Sequence, residues 1–180
     1  MLLSPSKAIL VVIDVQGKLA YLMHERDQLF KHIQALIKAA KILNIPIFNT
    51  EQAPEKIGVT IPEVKNFLVD EQPIHKAAFS CAAEPAFMSA LKRSMKKQVI
   101  IIGIETHVCV FQTVADLLTK QYMVHVVADA VSSRTGANKE IALERMKSMG
   151  AVITSTEMIV TELLRTSEHP KFKKILSLIR

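Results

Sequence analysis

The sequence predicts an α/β fold, a three-layer α/β/α sandwich around a central, mostly parallel sheet of the Rossmann-like, doubly wound type. Three observations predict this class. Short runs of β-branched and apolar residues alternate with longer segments of helical periodicity, as in βαβ units. The apolar runs are continuous rather than alternating, which is typical of parallel strands buried on both faces. The length of 180 residues suits one domain.

Composition narrows the class further. Hydrophobic residues make up 49% of the chain and charged residues 22%, which is typical of globular proteins and excludes intrinsic disorder. With only Cys81 and Cys109, a disulfide framework is excluded. No apolar run reaches the about 18 residues of a transmembrane helix. We expect one domain over residues 1–180, with a C-terminal helical extension over residues 165–180.

Six segments are predicted as strands. The first, Ala8–Ile13, is an unbroken apolar run that ends at Asp14. Ile74–Lys76 is short and is placed at an edge of the sheet. The other four are Ile45–Asn49, Gln98–Gly103, Met123–Ala128 and Ala151–Ile153.

Six helices are predicted between and after these strands. Thr106 is placed to cap the third, and Gly150 to end the fourth. Either Ser155 or Thr156 caps the fifth, which runs to Leu164. Residues 50–62 are predicted as the one long loop. The other helices cover Leu29–Leu43, Pro85–Met95, Thr106–Lys120, Asn138–Met149 and Phe172–Ile179.

Reactive side chains occur where strands end. Asp14 follows the first strand, Lys76 ends the short edge strand, and Cys109 follows the strand Gln98–Gly103. Ligands of open α/β sheets bind at the carboxyl ends of the strands. A parallel sheet therefore brings a carboxylate, an amine and a thiol from distant segments to one edge.

Cys109 is the most informative of these residues. It lies in the predicted first turn of a helix, where backbone N–H groups and the positive end of the dipole favour a thiolate. A thiolate there is a candidate nucleophile, and the same N–H groups can bind an oxyanion. The alternative is that Cys109 is a small buried apolar residue.

Asp14 and Lys76 each have a structural alternative. Asp14 can cap a helix or pair with a lysine, and Lys76 can be a solvated residue of an edge strand. Taken together with Cys109 they are chemically complementary. Asp14 can accept the thiol proton, and Lys76 can hold both acidic groups in their charged forms.

Three motifs in order resemble the isochorismatase-like cysteine hydrolase superfamily, which includes the nicotinamidases and the N-carbamoylsarcosine amidohydrolases. The motifs are Val11–Gln16, Lys76–Ser80 and Gly103–Val110, and the resemblance extends from about residue 7 to residue 164. The loop Glu51–Gly58 further resembles a subgroup of short isochorismatase-domain proteins.

The resemblance implies a catalytic triad of Asp14, Lys76 and Cys109. It also implies a cis peptide bond between Ile104 and Glu105, with an oxyanion hole formed by the backbone N–H groups of Glu105 and Cys109. In the implied mechanism Cys109 attacks an amide-type carbonyl, and water then hydrolyses the thioester. Members that cleave the vinyl ether of isochorismate lack the cysteine, so Cys109 favours cleavage of a C–N bond.

A departure from the nicotinamidase pattern leads us to expect no metal and no cofactor for this chain. Nicotinamidases bind a metal through an Asp-x-His motif after the second strand. Here that region, residues 49–53, reads Asn-Thr-Glu-Gln-Ala, which leaves Glu51 as a weak ligand. A metal-independent reaction is therefore expected, and nicotinamide is a poor candidate substrate.

Several further residues are candidates for substrate binding. Two of them have a structural alternative: Phe79 is equally a core residue, and His107 can instead pack or bond the backbone. Glu105 belongs to the same region, but its orientation is not predicted. The substrate-binding candidates are Gln16, Gln52, Phe79, Thr106 and His107.

The expected partners are a small-molecule substrate and further copies of the chain, as a dimer or tetramer. The net charge is +6, but the basic residues fall at predicted helix ends, where they suit the dipole. Neither nucleic acid nor a membrane is expected as a partner. A cytoplasmic location, where thiols stay reduced, is expected because the apolar start of the sequence is too short for a signal peptide and is interrupted by Pro5. The alternative function is a catalytically weak member that binds small molecules or serves assembly.

Overall fold

A computed structural model describes residues 2–179, and Met1 and Arg180 lie outside the described residues. The two ends of the predicted domain, 1–180, and the last residue of the predicted extension, 165–180, therefore lie outside them as well. A six-stranded parallel sheet forms the centre, in the order β3-β2-β1-β4-β5-β6. The strands are β1 Ala8–Ile13, β2 Ile47–Gln52, β3 Ile74–Lys76, β4 Gln98–Ile104, β5 Met123–Ser132 and β6 Val152–Thr154.

Helices connect the strands and cover both faces of the sheet. A single 3₁₀ turn, Cys81–Ala83, precedes α5, and a π-helical turn, Thr106–Val110, leads into α6. The α-helices are α1 Gly17–Ala20, α2 Arg26–Ile42, α3 Pro54–Ile57, α4 Pro62–Lys65, α5 Pro85–Ser94, α6 Phe111–Thr119, α7 Gly136–Ser148, α8 Thr156–Leu164 and α9 Phe172–Leu176.

Two hydrophobic cores lie on opposite faces of the sheet. Alternate residues of β1 divide between them, because successive side chains of a strand point to opposite faces. Leu10 and Val12 join the core under α2, α8 and α9, whereas Ile9 and Val11 join the core under α5, α6 and α7. The predicted fold class, a three-layer α/β/α sandwich, is confirmed. No helix within residues 2–179 has the length and hydropathy to cross a membrane.

The strand order reverses at the middle of the sheet. The chain runs outward from β1 through β2 to β3 and then returns to place β4 on the other side of β1. This topological switch point opens a crevice at the carboxyl ends of β1 and β4. The residues that follow these two strands are Asp14 and Glu105.

Four predicted strands, β2, β4, β5 and β6, have different bounds in the structure, and β2 differs at both ends. β2 begins at Ile47 because the Ile45 N–H donates to the carbonyl of Ala40 and so belongs to the end of α2. It continues to Gln52 by pairing with β3. The prediction of one long loop over 50–62 is therefore wrong, since its start is strand and Pro54–Ile57 is helical.

The helix ends confirm one predicted cap and contradict another. The Ser155 hydroxyl accepts from the Met158 N–H and caps α8. Thr156 instead bonds Asp129 through both its N–H and its hydroxyl. Thr106 is not a cap: it is the first residue of the π-helical turn, where the carbonyl of Glu105 accepts from the N–H groups of Val108 and Val110.

His125 is a buried histidine in the middle of β5. It is 2% exposed, and neither ring nitrogen has a hydrogen-bond partner among residues 2–179. Burial lowers the pKa of His125 below its ordinary value of 6.5, although the Glu162 carboxylate partly opposes this. The native state therefore holds a neutral imidazole in an apolar layer.

We predict that this histidine makes the fold sensitive to acid. The unfolded chain binds the His125 proton more readily, so its contribution to stability is present above about pH 6.5 and is lost as the pH falls toward the lowered native pKa. Urea unfolding at several pH values should show that the free energy of unfolding depends less steeply on pH in His125→Leu than in the native chain. His24→Gln removes an exposed histidine and serves as control; an equal slope change in the control would contradict the prediction.

Candidate active site

The side chains of Asp14, Lys76 and Cys109 converge at the carboxyl edge of the sheet. Asp14 follows β1, Lys76 is the last residue of β3, and Cys109 lies in the π-helical turn after β4. Gln52, the last residue of β2, lies between them: its Oε1 is 3.2 Å from Cys109 Sγ and 3.4 Å from Lys76 Nζ. The structure therefore brings together the three residues that sequence reasoning placed at strand ends.

Asp14 and Lys76 form a buried ion pair. Lys76 Nζ lies 2.6 Å from Asp14 Oδ2, and each residue is 5% exposed. The other carboxylate oxygen, Oδ1, accepts from the Thr50 hydroxyl at 2.7 Å. Lys76 also donates to the carbonyls of Ala78 and Phe79, at 3.1 and 3.0 Å. Asp14 thus has a hydrogen bond on one oxygen and the ion pair on the other, and Lys76 has two carbonyl acceptors besides the carboxylate.

The ion pair sets the charge of the lysine. Burial is the largest single influence and lowers the pKa of Lys76, but the Asp14 carboxylate and the acidic groups of Cys81 and Cys109 together outweigh it and leave the pKa raised above 10.5. Lys76 is therefore cationic at neutral pH. Its positive charge faces Asp14 and the sulfur of Cys109 at the same time.

Cys109 is a thiol in the resting state. Burial raises the pKa of Cys109, the Asp14 carboxylate raises it further, and Lys76 only partly offsets both. The thiolate that the sequence predicts from the helix dipole is therefore disfavoured in the resting state. The physical reason is that Cys109 is 7% exposed and shares its surroundings with a carboxylate.

Cys109 opens into a small cavity, here called the Cys109 cavity, of about 120 Å³. Its lining combines polar and apolar side chains. The apolar wall comes from segments far apart in the sequence. The lining residues are Asp14, Gln16, Leu19, Gln52, Ile57, Phe79, Ile104, Glu105, Val108 and Cys109.

Gln16 lines this cavity, but its amide is engaged by backbone. Nε2 donates to the carbonyls of Gln52 and Gly58, at 3.1 and 2.6 Å, and Oε1 accepts from the Gln52 N–H at 2.7 Å. The side chain thus ties the segment after β1 to the end of β2. Among the other candidates, Gln52 and the half-exposed Phe79 also line the cavity.

Thr106 and His107 do not line the Cys109 cavity. Thr106 is fully buried, and its hydroxyl has no hydrogen-bond partner in the described part of the chain. His107 turns away, and its Nδ1 lies 2.9 Å from the Ser133 hydroxyl.

Glu105 is the residue whose orientation the sequence left open. The peptide bond between Ile104 and Glu105 is cis. Glu105 is among the residues that line the Cys109 cavity, and its carboxylate Oε2 accepts from the N–H and the Nε of Arg134, both at 3.1 Å. Arg134 was not a candidate for this role, because nothing in its local sequence marks the contact.

The second cysteine lies close to the ion pair but contacts it only through the Thr50 hydroxyl. Cys81 is fully buried, and its sulfur is 3.7 Å from the Thr50 hydroxyl that bonds Asp14. Burial raises the pKa of Cys81 to about 11. Cys81 and Cys109 are both free thiols.

No group of three His, Cys, Asp or Glu side chains suited to a metal ion occurs within residues 2–179. Glu51, the weak ligand noted in the sequence, is buried and accepts from the N–H and the hydroxyl of Thr60 through one oxygen, both at 2.7 Å. That oxygen is therefore already used by the protein.

Comparison with known sequences shows the family to which this chain is similar. A family model for the isochorismatase domain matches residues 8–158. The secreted isochorismatase effector Isc1 of Phytophthora sojae (strain P6497) is 39% identical over 183 residues, covering 99% of this chain and 87% of that protein. Isochorismatase domain-containing protein 2A of Mus musculus is 36% identical over 177 residues, covering 98% and 84%.

Solved structures share the fold over nearly the whole chain. The MAR1 ribonuclease from Caenorhabditis elegans has a TM-score of 0.93 at 39% identity, covering 99% of this chain and 92% of that one. The structure of YcaC from Pseudomonas aeruginosa with hexane-2,5-diol and covalent acrylamide has a TM-score of 0.92 at 26% identity. The match covers 98% of this chain and 91% of that one. The Escherichia coli YcaC gene product, an octameric hydrolase of unknown specificity, has a TM-score of 0.89 at 26% identity. The match covers 98% of this chain and 95% of that one.

Proposed function

This chain belongs to the isochorismatase family, and from that premise we propose that it is a metal-independent cysteine hydrolase. It cleaves an amide-type C–N bond of a small molecule through a thioester on Cys109. Family membership supports hydrolase chemistry in general. The choice of bond rests on the presence of Cys109, since a nucleophilic thiol is suited to acyl transfer.

One observation carries the proposal: a buried thiol opens into a small cavity beside a buried, charged ion pair. Cys109 Sγ and Lys76 Nζ both contact Oε1 of Gln52, and Lys76 Nζ is 2.6 Å from Asp14. A binding protein gains nothing from holding a carboxylate, a cation and a thiol together at this cost of desolvation. A hydrolase needs a base, an electrostatic stabiliser and a nucleophile.

In the first half-reaction Asp14 acts as general base. Because burial raises the pKa of Cys109, the proton stays on sulfur until the sulfur attacks the carbonyl carbon, and a carboxylate must accept it then. The C–N bond breaks, the leaving nitrogen takes that proton from Asp14, and an amine or ammonia departs. An acyl thioester remains on Cys109.

In the second half-reaction water attacks the thioester. Asp14 accepts a proton from the water and passes it to the departing sulfur, which restores the thiol and releases a carboxylic acid. Lys76 stabilises Asp14 and the developing negative charge throughout. The backbone N–H groups of Glu105 and Cys109 are the proposed oxyanion hole.

The substrate is a small amide, carbamoyl or related molecule. A cavity of about 120 Å³ leaves room for only a few non-hydrogen atoms beyond the reacting group. The P. aeruginosa YcaC structure, which contains covalent acrylamide, supports the view that this fold accommodates a small amide. The reaction as proposed requires no metal and no cofactor.

A panel of small primary amides and N-carbamoyl compounds tests the proposal, with ammonia release as the readout. Cys109→Ser should lower turnover by about 10³-fold or more, because the nucleophile acts as one unit with its base. Cys81→Ser is the matched control and should retain turnover. Mass spectrometry after acid quench should find the acyl group on Cys109. Undiminished turnover in Cys109→Ser would contradict the mechanism.

A second candidate function is ribonuclease activity. It is favoured by the name of the C. elegans MAR1 ribonuclease, which is 39% identical to this chain, and by the net charge of +6. Cleavage of a labelled RNA that falls steeply with added salt and is lost in Cys109→Ser would favour it over amide hydrolysis. Ammonia release without RNA cleavage would favour the amidase.

Two further properties are part of the proposal. We expect a homo-oligomer, a dimer or tetramer, and the E. coli YcaC gene product is an octamer. We also expect a cytoplasmic location, because the mechanism needs reduced Cys109, although the P. sojae relative is a secreted effector.

A further inference from the structure

A second, larger cavity lies on the opposite face of β2 and β3. It encloses about 600 Å³ between these strands and the segment that carries α4, a volume within the usual range for ligand pockets. We name it the β2–β3 cavity. Its polar and charged lining residues include Asn49, Glu51, Thr60, Lys65, Glu71 and His75.

The pleat of β2 separates this cavity from the Cys109 cavity. Thr50 and Gln52 point to the catalytic side, where they contact Asp14 and Cys109. Asn49 and Glu51 alternate with them and line the β2–β3 cavity. The two cavities therefore use different side chains of one strand.

A chain of hydrogen bonds fixes the orientation of the Asn49 amide. The Thr60 hydroxyl donates to Glu51 Oε1 at 2.7 Å, so it can only accept from Asn49, whose Nδ2 lies 2.9 Å away. The Thr60 N–H donates to the same carboxylate oxygen. With Nδ2 committed as the donor, Asn49 must present Oδ1 as a free acceptor.

Two buried acceptors are thereby left for a ligand. Asn49 is 3% exposed, and its Oδ1 has no hydrogen-bond partner among the described residues. Glu51 is also 3% exposed, and its Oε2 has only the largely exposed His75 nearby, with Nε2 at 3.4 Å. A buried amide oxygen without a donor, and a buried carboxylate oxygen whose nearest nitrogen lies 3.4 Å away on an exposed histidine, are costly unless a partner supplies N–H groups or positive charge.

The nearby lysines do not pair with the Glu51 carboxylate within the described residues. Glu71 lies in the same lining but pairs with Lys41 at 3.2 Å. Lys65 lies at the exposed edge, and no ion pair joins it to Glu51 within residues 2–179. An organic cation is favoured over a metal ion, because that part of the chain gathers no three His, Cys, Asp or Glu side chains at one point.

We propose that the β2–β3 cavity binds a small organic cation, through an ammonium or guanidinium group that donates to Asn49 Oδ1 and Glu51 Oε2. Such a group supplies several N–H donors together with the positive charge that the buried carboxylate lacks. The rest of the cavity has room for the body of the molecule.

Titration of the native chain with n-butylammonium and n-butylguanidinium, followed by backbone amide NMR, tests the proposal. Saturable shifts are expected at the amides of Thr60 and Glu51, and butan-1-ol and butyrate should give none. Equal shifts with butan-1-ol would mean an apolar pocket, and no saturable shift with either cation would mean a water-filled cavity; either result overturns the proposal.

Charge-matched variants identify the ligand group. Glu51→Gln keeps the shape and should weaken binding by about tenfold or more, because it removes a charge-assisted hydrogen bond. Glu63→Gln loses the same charge outside the cavity and should bind as the native chain does. If Glu51→Gln does not fold, Asn49→Ser provides the same test with a smaller expected loss. Undiminished binding in a folded variant of either residue would overturn the proposal.

The site is also testable apart from catalysis. Cys109→Ser alters the opposite face of the sheet and should leave cation binding unchanged. Loss of binding in Cys109→Ser would show that the cation enters the Cys109 cavity instead, and this result would overturn the proposed site while leaving the hydrolase proposal in place.

Discussion

Lys76→Met lowers the free energy of unfolding by about 3–5 kcal/mol at neutral pH, the usual cost of removing one partner from a buried ion pair. The substitution leaves the Asp14 carboxylate 5% exposed and without its cation at 2.6 Å. Asp14 keeps the Thr50 hydroxyl as a hydrogen-bond donor, but one neutral donor does not replace a charge. Urea unfolding at neutral pH measures the loss.

A double variant separates the structural cost from the chemical role. Asp14→Asn combined with Lys76→Met removes both charges, and asparagine tolerates the left-handed backbone of position 14, where φ is 49°. The double variant should recover much of the lost stability, because no unpaired buried charge remains. It should still lack turnover, since the base is gone. Equal stability of the single and double variants would contradict this account.

The same pair shows what could be predicted from the sequence and why. Asp14, Lys76 and Cys109 were predictable as neighbours because each follows or ends a parallel strand, and strand ends of such a sheet share one edge. Gln52 was a candidate for the same reason. Its contacts with Lys76 and Cys109 depend on the register of β2 against β3, which no local pattern specifies.

The end of β2, in contrast, could not be predicted as strand from the sequence. The polar run from Asn49 to Gln52 has the composition of a loop, yet it is strand. Each of these side chains has a partner from another segment: Asn49 and Glu51 bond Thr60, Thr50 bonds Asp14, and Gln52 bonds Cys109. Local composition underestimates strand whenever tertiary hydrogen bonds satisfy polar side chains.

The apolar wall of the Cys109 cavity could not be predicted for a related reason. Leu19 and Ile57 line it, but they lie in one-turn helices that no periodicity predicts. The Glu105 orientation likewise depends on Arg134, which is 29 residues away. The chemistry of the site follows from strand ends, whereas its shape follows from loops.

Gly103→Ala is expected to prevent the native chain from accumulating, or to destabilise it by about 4 kcal/mol or more, a range reserved for severe clashes and backbone strain. Gly103 has φ +115°, and a Cβ there would lie 2.1 Å from the Ile13 carbonyl oxygen and 2.6 Å from its nitrogen. These atoms belong to the backbone of β1, so they cannot rotate away. The yield of folded protein and its urea midpoint are the measurements.

Gly103 also lies where β1 and β4 lead into the proposed active site. Gly103 is paired with Ile13 in the register of β1 and β4, and the next residues of the two strands lead to Asp14 and Glu105. Forcing the strands apart would move the base away from the turn that carries Cys109. Gly150→Ala is the control, because φ is +100° there too but nothing lies within 4 Å of the added Cβ. It should cost only the backbone strain of a positive φ, about 1–3 kcal/mol, so equal losses in the two variants would show that the close approach of β1 and β4 contributes nothing.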